Sequence, residues 1–336
     1  MPLVDVLLPV HAIGARLASR AIDSILTQTF GDLRLIVIDD GALEDARAWL
    51  DTMSRDPRLT VVTTRRPGIV GALETGLRCS DAPLVARMDA DDLALPWRLE
   101  AQVALLRDKP DLDLVAAPVL LEGDAAAGWI RHVTWSNRIM QPDDHFAERF
   151  VDAPVVHPTV MMRREVLERW GGYVEGPFAD DYELWLRALH AGGRFGKIAG
   201  PGLVWNRTPS TLTASHHRFS ASMILKLRAA WLARHLSERS KRFAVWGAGP
   251  SGRRIARELE SEGLVAEGFY DIDPRKIGRL VRGHRVQPAD VIEATRPWLS
   301  GIVLLAAVAS PGARYLIAQR LAAWGAKPGV DWLPVA

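Results

Sequence analysis

Four short apolar runs, 4–10, 33–38, 59–63 and 84–88, are separated by stretches whose apolar residues recur at helical spacing. Residues 15–27 carry Leu17, Ile22, Ile25 and Leu26 at that spacing, and 44–53 and 69–78 read the same way. Strands that alternate with helices imply a mostly parallel sheet covered on both faces, an α/β architecture. In such sheets ligands bind beyond the carboxyl ends of the strands. Asp39-Asp40 and Asp89-Ala90-Asp91-Asp92 both fall at those ends, so carboxylates stand where a ligand is expected.

The chain has 336 residues, beyond the usual size of one domain, and 48% of them are apolar, enough for a sizeable core. A net charge of +2 gives no electrostatic case for nucleic-acid binding. The single cysteine, Cys79, excludes an internal disulfide framework and a multi-cysteine metal site, and it fits a reducing compartment. The N-terminus reads as a strand, not a signal peptide, and no window reaches the roughly 18 uncharged apolar residues of a spanning helix. A soluble cytoplasmic protein is expected.

After residue 120 the pattern changes. The segment 121–214 is less regular and rich in aromatics (Trp129, Trp135, Trp170, Trp185, Trp205), a suitable place for a second-substrate pocket. Residues 215–242 read as helix, with Phe219, Met223, Leu227 and Trp231 sharing a face and seven Arg or Lys against a single Glu. A linker helix between domains is expected there. The alternative is a peripheral contact at the inner face of the membrane, which would suit a lipid-linked acceptor. From 243 a second α/β unit begins. Gly247-Ala248-Gly249-Pro250-Ser251-Gly252 follows a strand, and Asp271 and Asp273 come about 20 residues later, the dinucleotide fingerprint of a small Rossmann-like domain. Gly247, Gly249, Gly252 and Asp271 are therefore a candidate ligand loop. No residues for hydride transfer accompany them, so NAD(P) is not expected and a structural, regulatory or docking role is. The expected domains are 1–214, 215–242 (linker) and 243–336.

Two carboxylates one residue apart on a turn leaving a strand can address one Mn²⁺ or Mg²⁺, which prefers oxygen ligands. Such an ion stabilises a departing pyrophosphate. Asp89-Ala90-Asp91 has this form, although a bare Asp-x-Asp also occurs in many loops. A haloacid-dehalogenase phosphatase uses the same pattern, but closer to its N-terminus and without a residue like Leu93. Asp181, in Ala179-Asp180-Asp181-Tyr182-Glu183-Leu184-Trp185, is the best candidate for a general base. The competing expectation is that Asp180 or Asp181 only caps a helix.

Several segments occur in the order of one known family. They are Leu8-Pro9-Val10-His11, then 21–30, then Ile36-Val37-Ile38-Asp39-Asp40-Gly41, then Arg87-Met88-Asp89-Ala90-Asp91-Asp92 with Pro96-Trp97-Arg98-Leu99-Glu100 and Gln102. His157-Pro158-Thr159, Gly171-Gly172-Tyr173 and Asp180-Asp181-Tyr182-Glu183-Leu184-Trp185 follow. Over residues 3–214 the chain resembles the family 2 glycosyltransferases of GT-A fold. The resemblance implies an inverting transfer with Asp181 as general base and a metal held by Asp91 and Asp89. Pro9, Val10, His11, Asp40, Arg66, Asp89 and Ala90 would form the donor side, and His157, Asp180 and Trp185 the acceptor side. It also implies a UDP-sugar as donor, with GDP- and dTDP-sugars as alternatives. The acceptor would be a saccharide, free or lipid-linked, in bacterial polysaccharide or glycoconjugate synthesis.

The chain departs from the family at His11-Ala12, at Gly41-Ala42, at Glu74 (in place of the usual Asn) and at Asp180 (usually Glu). His11 and Glu74 thus become candidates for tuning base or sugar choice. Trp205-Asn206-Arg207 stands where an aromatic-Arg pair is common, which makes Arg207 a phosphate-binding candidate. The rival readings are a sugar-nucleotide oxidoreductase or NAD(P) sensor acting through the C-terminal loop, and a nucleotidyltransferase. The latter lacks a Gly-rich, Arg-containing loop near Pro9-Val10-His11-Ala12.

Overall fold

The computed structural model describes residues 1–53, 56–123, 126–206, 216–310 and 312–336. They form two compact units, Met1–Pro142 with Pro154–His216, and Asp143–Ala153 with His217–Ala336.

The first unit opens with β1 (Val4–Val10), α1 (Ala15–Leu26), β2 (Leu33–Asp39), α2 (Glu44–Met53), β3 (Leu59–Thr63), α3 (Ile69–Cys79), β4 (Leu84–Arg87), β5 (Leu93–Ala94) and α4 (Arg98–Asp108). It continues with β6 (Leu114–Ala116), β7 (Val119–Glu122), α5 (Ala127–Ser136), β8 (Met161–Arg163), α7 (Arg164–Arg169), α8 (Asp180–His190), β9 (Phe195–Lys197) and β10 (Leu203–Asn206). Between α5 and β8, the helix α6 (Pro142–Glu148) carries the chain into the second unit. Seven strands make one sheet in the order β3-β2-β1-β4-β8-β6-β9, parallel except where β8 runs against β4 and β6. A second, three-stranded sheet has the order β5-β10-β7.

Every residue of β1 is buried, which explains why its sequence does not alternate: both faces are covered, as parallel sheets require. Asp5 is the exception in type. Its carboxylate receives two bonds of 2.8 Å from Arg34, one of 2.6 Å from Ser80 Oγ, and the amides of Asp81 and Ala82. Burial pushes its pKa up, but these donors outweigh it and hold the group below its usual range. On one face α1 buries Ala18, Ala21, Ile22 and Ile25. Two glycines of α3 make close approaches, Gly76 to the sheet and Gly71 to the turn that precedes the helix. A Cβ at Gly76 would meet Leu7 and Ile38 at 3.0 Å, and one at Gly71 would stand 2.0 Å from the carbonyl oxygen of Arg66.

The second unit contains α9 (Ala221–Glu238), β11 (Arg242–Trp246), α10 (Pro250–Ser261), β12 (Phe269–Asp271), a hairpin of β13 (Leu280–Val281) and β14 (His284–Arg285), and β15 (Gln287–Pro288). After α11 (Val291–Thr295) come β16 (Ile302–Ala306), α12 (Ala313–Ala323) and β17 (Trp332–Pro334). Its sheet is parallel throughout, in the order β15-β12-β11-β16-β17. The helix expected as a linker belongs to this unit, and its buried face is Leu227, Leu232, Ala233, His235 and Leu236. Of the expected line Phe219, Met223, Leu227 and Trp231, only Leu227 is buried.

Asp143–Ala153 also falls in the second unit, which contiguous domains do not anticipate. The guanidinium of Arg149 lies 3.7 and 4.3 Å from the ring centres of Phe146 and Phe150, with its Nη2 3.2 Å from the His235 ring, while Glu148 pairs with Arg314 at 3.2 Å. Among the described residues no helix is long and apolar enough to cross a membrane.

The Gly71 contact generates a stability prediction. Gly71→Ala should cost about 1–3 kcal/mol, because backbone must move to admit the methyl group. Urea denaturation should show a lower midpoint at unchanged slope.

Candidate active site

Strands β2, β1 and β4 are adjacent and parallel, so their carboxyl ends share one edge. His11, Asp39-Asp40 and Asp89 all stand there. The two aspartates of the first pair do different work. Asp39 Oδ1 accepts the amides of Gly41 (3.0 Å) and Ala42 (2.8 Å), and Oδ2 takes Arg47 Nε at 2.7 Å. Burial raises its pKa, but Arg47 and the two amides prevail, so it stays ionised and builds the turn. Asp40 receives the amide of Gly68 on both oxygens, at 3.0 and 3.1 Å. Burial is the largest influence on Asp40 and raises its pKa. His11 Nδ1 lies 2.5 Å from the backbone oxygen of Asp40 and 3.8 Å from Asp40 Oδ2, with most of its ring exposed. Pro9 and Val10 are buried within β1, so their side chains are closed to a ligand. Arg66, on the turn before α3, is bound by Glu74 (2.9 Å) and Glu175 (3.2 Å).

Beyond β4, carboxylate oxygens of Asp89, Asp91 and Asp92 lie within 4.8 Å of one another. Asp92 is buried. Its Oδ1 accepts the amide of Asn206 at 2.8 Å, and its Oδ2 has no hydrogen-bond partner among the described residues. Burial first, then the charges of Asp89 and Asp91, push its pKa well above the usual carboxylate value. Ala90 is buried between the ligand candidates. Two buried arginines flank the cluster. Arg87 ion-pairs Asp89, while Arg98 donates to the carbonyl oxygen of Arg87 (2.7 Å) and to Gln102 Oε1 (3.2 Å). Gln102 in turn holds the carbonyls of Val115 (2.7 Å) and Thr159 (2.8 Å). Burial lowers the pKa of Arg98 to about 9, which leaves it a cation at neutral pH. An orphaned, buried oxygen in a set of three carboxylates is what a hard divalent cation would complete, so the residues fit Mn²⁺ or Mg²⁺.

Asp180 and Asp181 are the first two residues of α8, and Ala179 is its cap, so neither acts as the N-cap. Asp180 is buried. Asp181 is half-buried and accepts the amide of Tyr182 at 2.7 Å. Both lie at the positive end of the helix dipole. Below them Tyr173 OH meets His157 Nε2 at 2.9 Å. Burial dominates the pKa of Tyr173, and the charges of Arg87, Asp180 and Asp181 all reach it. The expected acceptor residues His157 and Trp185 are 6% and 0% exposed, with ring centres 5.7 Å apart. Both are buried, and His157 is held by Tyr173.

Residues 6–171 match the sequence profile of glycosyl transferase family 2. The chain carries a family 2 glycosyltransferase domain. The O-antigen biosynthesis glycosyltransferase WbnJ of Escherichia coli is 29% identical over 197 residues, 56% of this chain and 73% of that one. The amylovoran biosynthesis glycosyltransferase AmsE of Erwinia amylovora is 27% identical over 52% of this chain and 64% of its own length. Among solved structures, S. aureus TarS 1–349 in complex with UDP-GlcNAc superposes with a TM-score of 0.53 over 70% of this chain and 72% of that chain, at 14% identity. That likeness concerns the fold, a GT-A glycosyltransferase architecture.

Within the first unit, residue spacing did not single out Arg87, Arg98, Gln102, Tyr173 or Asn206 as neighbours of the acidic turn. The signal for Arg87 was a cation closing an apolar strand. Arg207 lies outside the described residues, as does the boundary expected at 214. In the second unit, Gly247 and Gly252 of the candidate loop answer to backbone conformation and packing, and Gly249 does not. Gly247 has φ +121°, and a Cβ at Gly252 would stand 1.8 Å from the Gly247 carbonyl oxygen. Gly249 has open space, with Lys276 Nζ 3.8 Å from where a Cβ would sit. Asp271 accepts the amides of Ala248 (2.8 Å) and Asp273 (2.9 Å) and pairs with Lys276 at 3.1 Å.

His157 supplies a pH test. Burial, then the charge of Arg87, depress its pKa well below 6.5, so it is neutral in the fold. The unfolded chain takes up a proton at about 6.5 that the folded chain refuses. The contribution of His157 is therefore full above that pH and is lost as pH falls toward the folded value. The stability deficit of His157→Gln relative to wild type should shrink from about pH 7.5 to about pH 5. A deficit that does not vary with pH would contradict the assignment.

Proposed function

We propose that the chain transfers a sugar from a nucleoside-diphosphate sugar, in the first instance a UDP-sugar, to a hydroxyl of a saccharide acceptor with inversion. The observation that carries this reading is the convergence of Asp89, Asp91 and Asp92 at the carboxyl edge that also carries Asp40, in a family 2 domain. Asp91 and Asp89 are the expected ligands of Mn²⁺ or Mg²⁺, and the unpartnered oxygen of Asp92 could join them. When bound, the ion would supply positive charge for the departing diphosphate.

This chain's own residues do the rest. Asp40 and His11, on neighbouring strand ends, would receive the nucleoside. Arg66, now bound by two glutamates, would be free to turn to the donor if those pairs opened. Asp181 would take the proton of the acceptor hydroxyl as its oxygen forms the bond to the anomeric carbon. The bond to the diphosphate breaks on the opposite face, and inversion follows. Its place in the first turn of α8 puts Asp181 at the positive end of the helix dipole, which suits a carboxylate that acts as a base. The O-antigen and amylovoran relatives support an acceptor in bacterial polysaccharide synthesis. The exposed Lys226, Arg234 and Arg239 on and beside α9 would suit a lipid-linked acceptor at a membrane face.

Asp181→Asn should lower kcat by about 10²- to 10⁴-fold while UDP-sugar affinity stays within about twofold of wild type. Near-normal transfer by this variant would remove Asp181 as the base. Asp91→Asn should abolish the strengthening of UDP binding by Mn²⁺, measured by calorimetric titration with and without the ion.

A further inference from the structure

Arg87 closes β4 with its side chain buried against the acidic turn. Its Nη1 pairs with Asp89, and its Nε is buried with no hydrogen-bond partner among the described residues. A guanidinium is a rigid fork that a carboxylate can fill at two points. Here the fork is only partly filled, and the carboxylate that fills it belongs to the trio a divalent cation would use. Arg98 is the second buried cation beside that trio, and the charges of Asp92 and Asp89 act on it.

The local charge balance then sets conditions on the metal. Three carboxylates against two guanidiniums leave one negative charge when all three are ionised. A divalent cation alone would turn this into a net positive charge at a partly buried site, where charge is screened less than in open water. An arriving diphosphate brings negative charge that removes this positive excess. We propose that Arg87 is an internal counter-cation that competes with a divalent metal for Asp89, so that the metal binds firmly only together with a diphosphate. The proposal rests on the metal reading of the cluster given above. By linkage, the diphosphate gains from the metal the same factor that the metal gains from the diphosphate. Arg87 acts through Asp89 and is a positioning residue.

The test is a Mn²⁺ titration of the full chain followed by electron paramagnetic resonance, alone and in separate arms with saturating UDP, GDP or dTDP. For wild type, at least one nucleotide should lower the apparent Kd for Mn²⁺ tenfold or more. Arg87→Gln should bind Mn²⁺ alone at least tenfold more tightly than wild type, with a smaller nucleotide effect. Arg87→Lys, which keeps the charge, should restore weak binding of the lone ion. A residue that merely held the fold would weaken metal binding when lost, so the direction of change separates the two roles. If Arg87→Gln is folded by circular dichroism yet binds Mn²⁺ no more tightly than wild type, the proposal is overturned. The metal reading then survives provided Asp91→Asn abolishes binding. If Arg87→Gln does not fold, the wild-type arms decide, and equal Mn²⁺ affinity with and without all three nucleotides overturns the proposal. Absence of Mn²⁺ binding in every arm sinks the metal reading and this proposal with it.

Discussion

β1 pairs in parallel with β2 along its whole length and with β4 along its first four residues. Because all three strands run the same way, their carboxyl ends open on one edge. Residues far apart in the chain, His11, Asp40 and Asp89, become neighbours there without any long loop. The pairing survives on two-sided burial, which α1 and α3 supply from the helical segments between the strands. Gly76 allows α3 to approach, and Asp5 with Arg34 ties the opposite end of the sheet. The acidic edge is thus a product of packing at a distance from it.

What makes the edge chemically usable is a layer of buried polar side chains under it. Arg98 and Gln102, on one face of α4, hold the carbonyls of Arg87, Val115 and Thr159. These bonds fix the turn after β4 against β6 and the segment around His157. Tyr173 and His157 continue the layer toward α8, and the charge of Arg87 acts on both. The carboxylates at Asp89 and those at Asp180-Asp181 are therefore linked through one cationic and one neutral group. A buried cation without carboxylates nearby would be strongly destabilising, and a carboxylate trio without cations would repel itself. Each set makes the other tolerable.

The first unit was largely legible in the sequence because its strands are short, apolar and separated by strongly periodic helices, and because chain direction alone puts Asp39-Asp40 and Asp89 at one edge. Side-chain fates were less legible. Nothing in Asp39-Asp40 says that the first builds its own turn while the second faces Gly68, since that depends on which amides the turn presents. Trp185 and His157 have residue types common at sugar-binding surfaces, yet both fill the space under α8. Asp143–Ala153 joins the second unit where Arg149 meets His235 and Glu148 meets Arg314, contacts between residues more than eighty positions apart that no local pattern encodes. Arg87 was visible only as part of a familiar string; its meaning comes from the unfilled part of its guanidinium.

A comparison between the two units sharpens what distinguishes a ligand-facing aspartate from a structural one. Asp39 and Asp271 both end a strand of a parallel sheet, where ligands are expected. Yet Asp39 spends its oxygens on two amides and Arg47, and Asp271 spends its own on two amides and Lys276. Both pKa values are lowered, since burial is outweighed by donors already in place. Asp92 is the opposite case, with one oxygen unpartnered and a pKa pushed up by burial and by its neighbours. Position at a strand end brings all three to the right place. The balance between acceptor capacity and local donors decides which of them still has something to bind, and by that measure the acidic turn after β4 is where an incoming cation would gain most.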